Sequence, residues 1–465
     1  MSKSLPVINE PASSLNKDGS RNFVQPADVK GRFTRFRYVV FAALIVIYLA
    51  LPFIQINDRP AVFLDLPHRR FYLFGSSFNA QDFWLFFFLL TGLAFLLFVV
   101  TTLFGRVWCG YACPQTVFLE GVYRRIERFI EGPRNARIKR NAGPMNGDKL
   151  WRKGLKHVLF ILLSLFFAHF FLSYFVSLPS MLEMIGGPPS DHPEAFAWMA
   201  GMSIVLYFNF AWFREQLCLI ICPYGRLQST LLDDDTLIIG YDVDRGEPRG
   251  KKSKKQPEKE VGDCIDCKRC VNVCPTGIDI RNGLQMECIG CAACIDACDE
   301  VMDKLGRDRG LVRYDTQKAL EGGVRRFFRP RLLIYAGILV LWVVGVTFAF
   351  RSHEPFAANL LRPGGGEPFV VEDGIVRNTV QIHVVNKTDG EVTYTLSTPD
   401  EEGALEYVFP MAEVSLDGGG SRHVPVIVRL PREEMAEAPP IRVQVAPEDG
   451  DGDPRQLEAT FLGPH

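Results

Sequence analysis

Five stretches of the chain carry almost only apolar side chains: Tyr38–Ile54, Phe83–Phe104, Val158–Leu178, Phe196–Phe213 and Leu332–Phe350. None contains Asp, Glu, Lys or Arg. Each approaches the ~20 residues that a helix needs to cross the hydrocarbon of a bilayer. A helix buried in a soluble protein would keep a polar stripe for water, and these have none. The pattern predicts a five-helix transmembrane bundle. A long polar stretch precedes the first segment and no small-residue cleavage site follows it, so it reads as a span and not as a signal peptide. Beyond the fifth segment the period changes. T-V-Q-I-H-V-V (379–385), V-T-Y-T-L-S (392–397) and H-V-P-V-I-V-R-L (423–430) alternate apolar with polar between Gly, Asp and Pro turns. That predicts an all-β sandwich over 355–465.

Charge orients the chain. Lys and Arg crowd the N-terminal tail and the loop after the second segment, whereas loop 179–195 has neither. The positive-inside rule places the N-terminus and the second and fourth loops in the cytoplasm, and the C-terminal region outside. That region is acidic and lacks cysteine. The domains expected are a basic tail (1–37), four spans (38–240), a charged linker (241–260), a cysteine-rich module with its connector (261–330), a fifth span (331–350) and the outer sandwich (355–465). Thr116–Ile130 reads as a basic amphipathic helix on the membrane surface. The lysines of 241–260 could touch anionic lipid, although a solvated linker is the stronger reading. Net charge is −1, which by itself implies no partner.

The cysteines bring in the chemistry. Eight of the twelve form C-I-D-C-K-R-C-V-N-V-C-P (264–275) and C-I-G-C-A-A-C-I-D-A-C (288–298). Each is a Cys-x2-Cys-x2-Cys-x3-Cys run, the bacterial ferredoxin pattern for [4Fe–4S] clusters. Three thiolates on one tight loop can cap three corners of a cubane, and the other run supplies the fourth. One cluster would take Cys264, Cys267, Cys270 and Cys298. The other would take Cys288, Cys291, Cys294 and Cys274. Asp299 stands where a second proline is often found, which leaves the ligands untouched. A structural zinc site would favour wider pairs and histidine.

The other four cysteines form W-C-G-Y-A-C-P-Q (108–115) and L-C-L-I-I-C-P-Y (217–224). On a helix, Cys109 and Cys113 would share a face, as would Cys218 and Cys222, about 5–6 Å apart at Cβ. Pro114 and Pro223 then end each helix at the cytoplasmic surface. Two such ends side by side would gather four soft sulfurs, a donor set for copper(I), zinc or an iron–sulfur cluster; a thiol/disulfide pair within each motif is also open. His157 and His169, twelve residues and about 18 Å apart on one helix, cannot share a haem, and packing or hydrogen bonding is the stronger reading. Met181 and Met184 resemble a copper contact, but a helix-end packing stripe is the stronger reading. There is no nucleotide loop, catalytic triad or haem-attachment motif, and nothing points to nucleic acid.

These motifs, in this order with Y-D-V-D-R-G-E-P-R-G (241–250) and the β-rich tail, resemble the CcoG (FixG/RdxA) family of cytochrome c oxidase accessory proteins over nearly the whole chain. The paired Cys-x3-Cys-Pro motifs are also similar to those of membrane iron–sulfur proteins of nitrate and nitrous oxide respiration. The resemblance implies an immunoglobulin-like outer domain and residence in a bacterial inner membrane. It implies a role in assembling cbb3-type cytochrome oxidase, reduction of copper(II) to copper(I), and dimers. The leading expectation is therefore a cupric reductase. Its two clusters take electrons from an unidentified cytoplasmic donor and pass them to copper, as substrate or bound ion, at Cys109, Cys113, Cys218 and Cys222. Copper(I) then goes to the oxidase or its copper-delivery factors. The alternatives are a quinol-oxidising electron-transfer subunit and a non-enzymatic copper-binding scaffold.

Overall fold

Asn146 and Asp296 start two of the long helices. Asn146 accepts a hydrogen bond from the Lys149 N–H at 2.9 Å and caps helix Gly147–Leu172. That helix therefore begins well before its apolar run and stops short of Leu178. Asp296 lies far along the chain, yet its carboxylate accepts from the N–H groups of Phe33 and Thr34 at 3.3 and 2.7 Å, in the first turn of helix Arg32–Ala50. In the computed structural model of the protein, described for residues 23–56, 59–67, 70–78, 83–250, 261–351, 355–362, 368–388, 390–399, 404–448 and 452–464, five helices among the described residues are long and apolar enough to cross a membrane. They are Arg32–Phe53, Phe87–Phe104, Gly147–Leu172, Pro193–Phe213 and Pro330–Phe348. This is a membrane protein.

Two units divide the chain. The first comprises the chain up to Gln55 together with Phe88–Val343. Its apolar core between helices is aromatic: Tyr123 stacks on Phe210 with ring centroids 4.4 Å apart, and Phe118 meets Phe167 edge-on at 4.8 Å.

Thr116–Ile130 is helical, with a π-turn at Leu119–Tyr123. Arg125 is exposed, but Glu120, Arg124 and Glu127 are buried in an ion-pair network that periodicity did not predict. Arg124 pairs with Glu120, and with Glu215 at 2.8 Å. Glu127 faces Arg214 at 3.0 Å and Lys156 at 3.4 Å, and Glu131 meets Lys156 at 2.8 Å. The apolar and charged faces of one helix describe that helix alone. They could not show that carboxylates at 127, 131 and 215 match these cations.

The charged stretch after the fourth span is also corrected in part. Strand Leu237–Tyr241 pairs antiparallel with Val312–Thr316, and Arg245 bonds Asp263 at 2.6 Å. Residues 241–250 are thus docked on the cysteine-rich module; 251–260 lie outside the described residues, as does tail segment 1–22.

The second unit comprises Ile56–Phe87 with Val344–His465. Strands Phe356–Leu361, Ile375–Asn386, Ser421–Pro431 and Glu406–Val408 form one antiparallel sheet, with Val370–Glu372 beside it; Glu413–Leu416, Val392–Ser397, Ile441–Pro447 and Arg455–Ala459 form another. Alternate residues Val380, Ile382, Val384, Val424, Val426 and Val428 are fully buried in a shared core, as the period of two requires. The segment between the first two spans holds the small sheet Val62–Asp65, Arg70–Leu73 and Ser76–Phe78. From it Arg70 donates to the Gly419 carbonyl at 2.6 Å.

The ion network gives a pH test. Burial raises the pKa of Glu127, but Arg214, Lys156 and Arg137 more than reverse this and hold the carboxyl well below the usual carboxylate range. A depressed pKa stabilises the fold above the unfolded glutamate value of about 4.3, and that contribution is lost as pH falls below it. Glu127→Gln should cost on the order of 3–5 kcal/mol, because Arg214 and Lys156 stay buried with less compensation. In detergent, the unfolding midpoint of the variant should be lower at neutral pH and less sensitive to acid than that of the parent.

Candidate metal centres

Both ferredoxin-type runs fold into the same loop. Asp266 and Lys268 in the first have φ of 52° and 54°; Gly290 and Ala292, at the matching positions of the second, have 67° and 59°. Three of these four are not glycine, and a left-handed conformation costs such residues on the order of 1–3 kcal/mol. Loops of this kind turn successive N–H groups into a concavity that suits anionic iron–sulfur clusters. Each then enters a helix, Arg269–Asn272 or Ala293–Leu305.

Two cavities lie beneath the loops. One is lined by Cys264, Cys267, Cys270 and Cys298. The other is lined by Cys274, Cys288, Cys291 and Cys294, with Cys270 on the shared side. The donors that line each cavity fit the crossed ligand sets, with the fourth thiol of each run reaching the other run's site. Among the described residues no three His, Cys, Asp or Glu side chains gather to hold a single metal ion. A cubane does not require this, because each thiolate binds its own iron at a separate corner.

The membrane-side pairs are not on one continuous helical face. Cys109 lies in the short helix Val107–Tyr111, and Cys113 is extended (φ −61°, ψ 127°) just before helix Pro114–Phe118. Cys218 lies in the π-turn Leu217–Ile221, and Cys222 is extended (φ −63°, ψ 109°) just before helix Pro223–Leu231. In both motifs the second cysteine N–H reaches back five residues, Cys113 to Trp108 at 2.9 Å and Cys222 to Leu217 at 2.8 Å. Each proline therefore begins a new helix at its first position, where no N–H is needed. The two motifs are structural repeats, and they meet: Cys109 lies within electrostatic reach of Cys113 and Cys222, and Cys218 of Cys113 and Cys109. Burial, and then the neighbouring thiols, push Cys109 and Cys218 up to about 12. Free thiols here keep their protons, and a soft cation is what would displace them.

Two glycines decide where this group sits. A Cβ on Gly110, inside W-C-G-Y-A-C, would lie 2.8 Å from the Ile289 carbonyl and 3.0 Å from the Cys291 backbone. A Cβ on Gly290, inside C-I-G-C, would lie 3.1 Å from the Arg106 carbonyl. The backbones of the two cysteine motifs are in direct contact, and Cys109 packs against the apolar cluster that contains Cys291. Arg106 donates to the carbonyls of Met286 and Gly225, the latter at 2.6 Å, and Arg37 donates to Gly110 at 2.8 Å.

Nitrogen fixation protein FixG of Rhizobium meliloti is 35% identical over 90% of this chain and 88% of its own length. Protein RdxA of Cereibacter sphaeroides is 36% identical over 87% of each. The chain belongs to the FixG/RdxA family. The "IG-like fold at C-terminal of FixG" matches residues 346–464, a "4Fe-4S dicluster domain" 213–317, and a "4Fe-4S binding domain" 84–133. These matches support two [4Fe–4S] clusters and an immunoglobulin-like C-terminal domain. The 84–133 match contains Cys109 and Cys113 but neither ferredoxin run. A solved FixG-related protein from Vibrio parahaemolyticus covers 24% of this chain and 97% of its own, with 16% identity and a TM-score of 0.20.

In this member of the FixG/RdxA family, motif spacing does not reveal Arg37, Arg106 or Gln228. Gln228 is fully buried, and its Oε1 lies 3.4 Å from the Cys109 sulfur. It stands six residues after Cys222, too far for a motif to flag it. The glycines were legible in principle, since each stands inside a cysteine motif.

Iron counting on variants tests the crossed ligand sets. Cys264→Ala and Cys298→Ala should each leave about four irons per chain, and the pair together should lose no more. Cys264→Ala with Cys274→Ala should lose nearly all. If each run held its own cluster, the two pairs would exchange behaviours.

Proposed function

We propose that this chain is a membrane-bound cupric reductase serving assembly of a copper-containing respiratory oxidase. One observation carries the reading: four thiols from two repeated Cys-x3-Cys-Pro motifs lie within electrostatic reach of one another, and the backbone of one motif touches the second ferredoxin loop at Gly110 and Gly290. The clusters, when bound, supply single electrons. The substrate is copper(II), which takes one electron and becomes copper(I). Cys109, Cys113, Cys218 and Cys222 hold it as thiolates, whose softness favours the reduced ion. Buried thiols release protons on binding, and Gln228 fixes the orientation of Cys109. Because the four sulfurs do not gather on one point, their side chains turn inward with the ion.

Contacts within each unit support five crossings with a cytoplasmic cluster module. Ala27 bonds Asn272, and Arg124 bonds Pro275, which supports a common side for the tail, the second loop and the module. Arg70 bonds Gly419, which pairs the first outer loop with the C-terminal domain. An odd number of crossings requires that grouping.

A second reading concerns the electron donor. A cleft of about 320 Å³ in the first unit is lined by residues that include Phe104, Leu232, Leu237, Arg106, Gln285 and Cys288. An apolar wall at a span's end beside a cluster ligand favours a quinol as donor.

The reductase reading is tested with purified protein, a low-potential donor and copper(II). Replacing all four membrane-side cysteines by serine should abolish copper(I) formation while cluster absorbance stays. Gly110→Ala should keep both clusters and slow reduction by 10-fold or more, on the order of the loss from a small misplacement of reacting groups. Normal rates in the four-serine protein would refute the assignment.

A further inference from the structure

Helix Gly147–Leu172 ends far from the cysteine-rich module. Lys156, bound into the buried ion network, and His169 are separated by ~20 Å along its axis. Around His169 the chain turns through helix Leu178–Gly186 and enters helix Pro193–Phe208. The turn borders an open cavity of about 200 Å³ whose lining includes His169, His192, Met181, Met184 and Met199. Three thioethers and two imidazoles thus come together from segments spread over some thirty residues. Sequence alone favours plain packing for Met181 and Met184, but a packing stripe would fill this space.

The donor set selects the ligand. Among the described residues, no carboxylate and no thiol lines the cavity. Hard divalent cations need oxygen donors, and zinc sites draw on thiolate, imidazole or carboxylate. Neutral thioethers with imidazole suit a soft monovalent ion, and among biological metals that is copper(I). The histidine is also prepared. Nδ1 of His169 lies 2.8 Å from the Leu165 carbonyl. A carbonyl only accepts, so Nδ1 carries the proton and Nε2 keeps its lone pair. Metal-ligating histidines are typically fixed this way by a backbone carbonyl. The other membrane histidine differs: Nδ1 of His157 is engaged by the Tyr207 hydroxyl at 2.9 Å, a structural contact within the helix pair.

We propose that His169, His192, Met181, Met184 and Met199 form a copper(I)-binding site at the end of the bundle opposite the cysteine-rich module. The ion stays copper(I) throughout, so binding needs neither an oxidant nor a reductant. The link to copper reduction rests on the reading above; the site itself rests on its donors. If both hold, the protein presents reduced copper on the side of the membrane where the immunoglobulin-like domain is proposed to lie.

The test is a copper(I) titration against a competing chelator, under reducing, anaerobic conditions. The parent is the full chain with Cys109, Cys113, Cys218 and Cys222 replaced by serine and its clusters intact. The parent should bind one copper(I) tightly, with thioether and imidazole scattering in the X-ray absorption spectrum. Met181→Leu with Met184→Leu conserves volume, so the fold should survive, as unchanged cluster absorbance would verify. That variant should lose the bound ion or weaken it by on the order of 10–100-fold, and His169→Gln should do the same. Equal copper(I) affinity in parent and variants would overturn the proposal, as would a parent that binds none. Copper(II) reduction is assayed separately in the unaltered chain, so failure of the reductase reading and failure of this site register in different experiments.

Discussion

Backbone-to-backbone contact between two cysteine motifs is the constraint on which the functional geometry depends. Gly110 and Gly290 each occupy a place where a single extra carbon would meet another chain segment's backbone at or near 3 Å. Side chains can yield to such crowding, but backbone cannot do so without moving the loop. The approach keeps Cys109 packed on the cluster containing Cys291. Arg106 and Arg37 lock it by donating to backbone carbonyls on both partners. The contact is set by shape, and the charged groups around it hold the register.

Those charged groups form a second layer. Arg124 joins Glu120 and Glu215 and also donates to the Pro275 carbonyl beside the first ferredoxin run. Arg137 reaches Pro26 of the tail. Buried ion pairs contribute little net stability over apolar residues of equal volume, and their sharper effect is on which partners can pair at all. Here Arg124 reaches Glu215, and Arg214 and Lys156 reach Glu127, each across segments, so a misplaced loop would leave buried charge uncompensated.

Much of the architecture was legible because it is written in periodicity. Five uncharged runs became five long helices, and alternation at 379–385 and 423–430 became strands sharing a core. Cysteine spacing marked the two loops, whose left-handed residues fall at matching positions. What the sequence hid was pairing across distance. Leu237–Tyr241 finds its strand partner some seventy residues later, so a charged neighbourhood looked like a linker. Segment 116–130 read as a plain amphipathic helix because the partners of Arg124 and Glu127 include Glu215, Lys156 and Arg214, all distant in sequence. The cysteine pairs looked helical because i,i+4 spacing ignores what a following proline does; Cys113 and Cys222 are extended instead.

The contact between Asp296 and the first turn of helix Arg32–Ala50 has a consequence for biogenesis. Asp296 stands between Cys294 and Cys298, on the helix that follows the second ferredoxin loop. The N–H groups it satisfies belong to a membrane helix that is made before it. The start of that helix lacks this partner until more than 260 further residues have been made. A span is thus finished by a segment of the cysteine-rich module. Folding of that module and completion of the helix start share one contact.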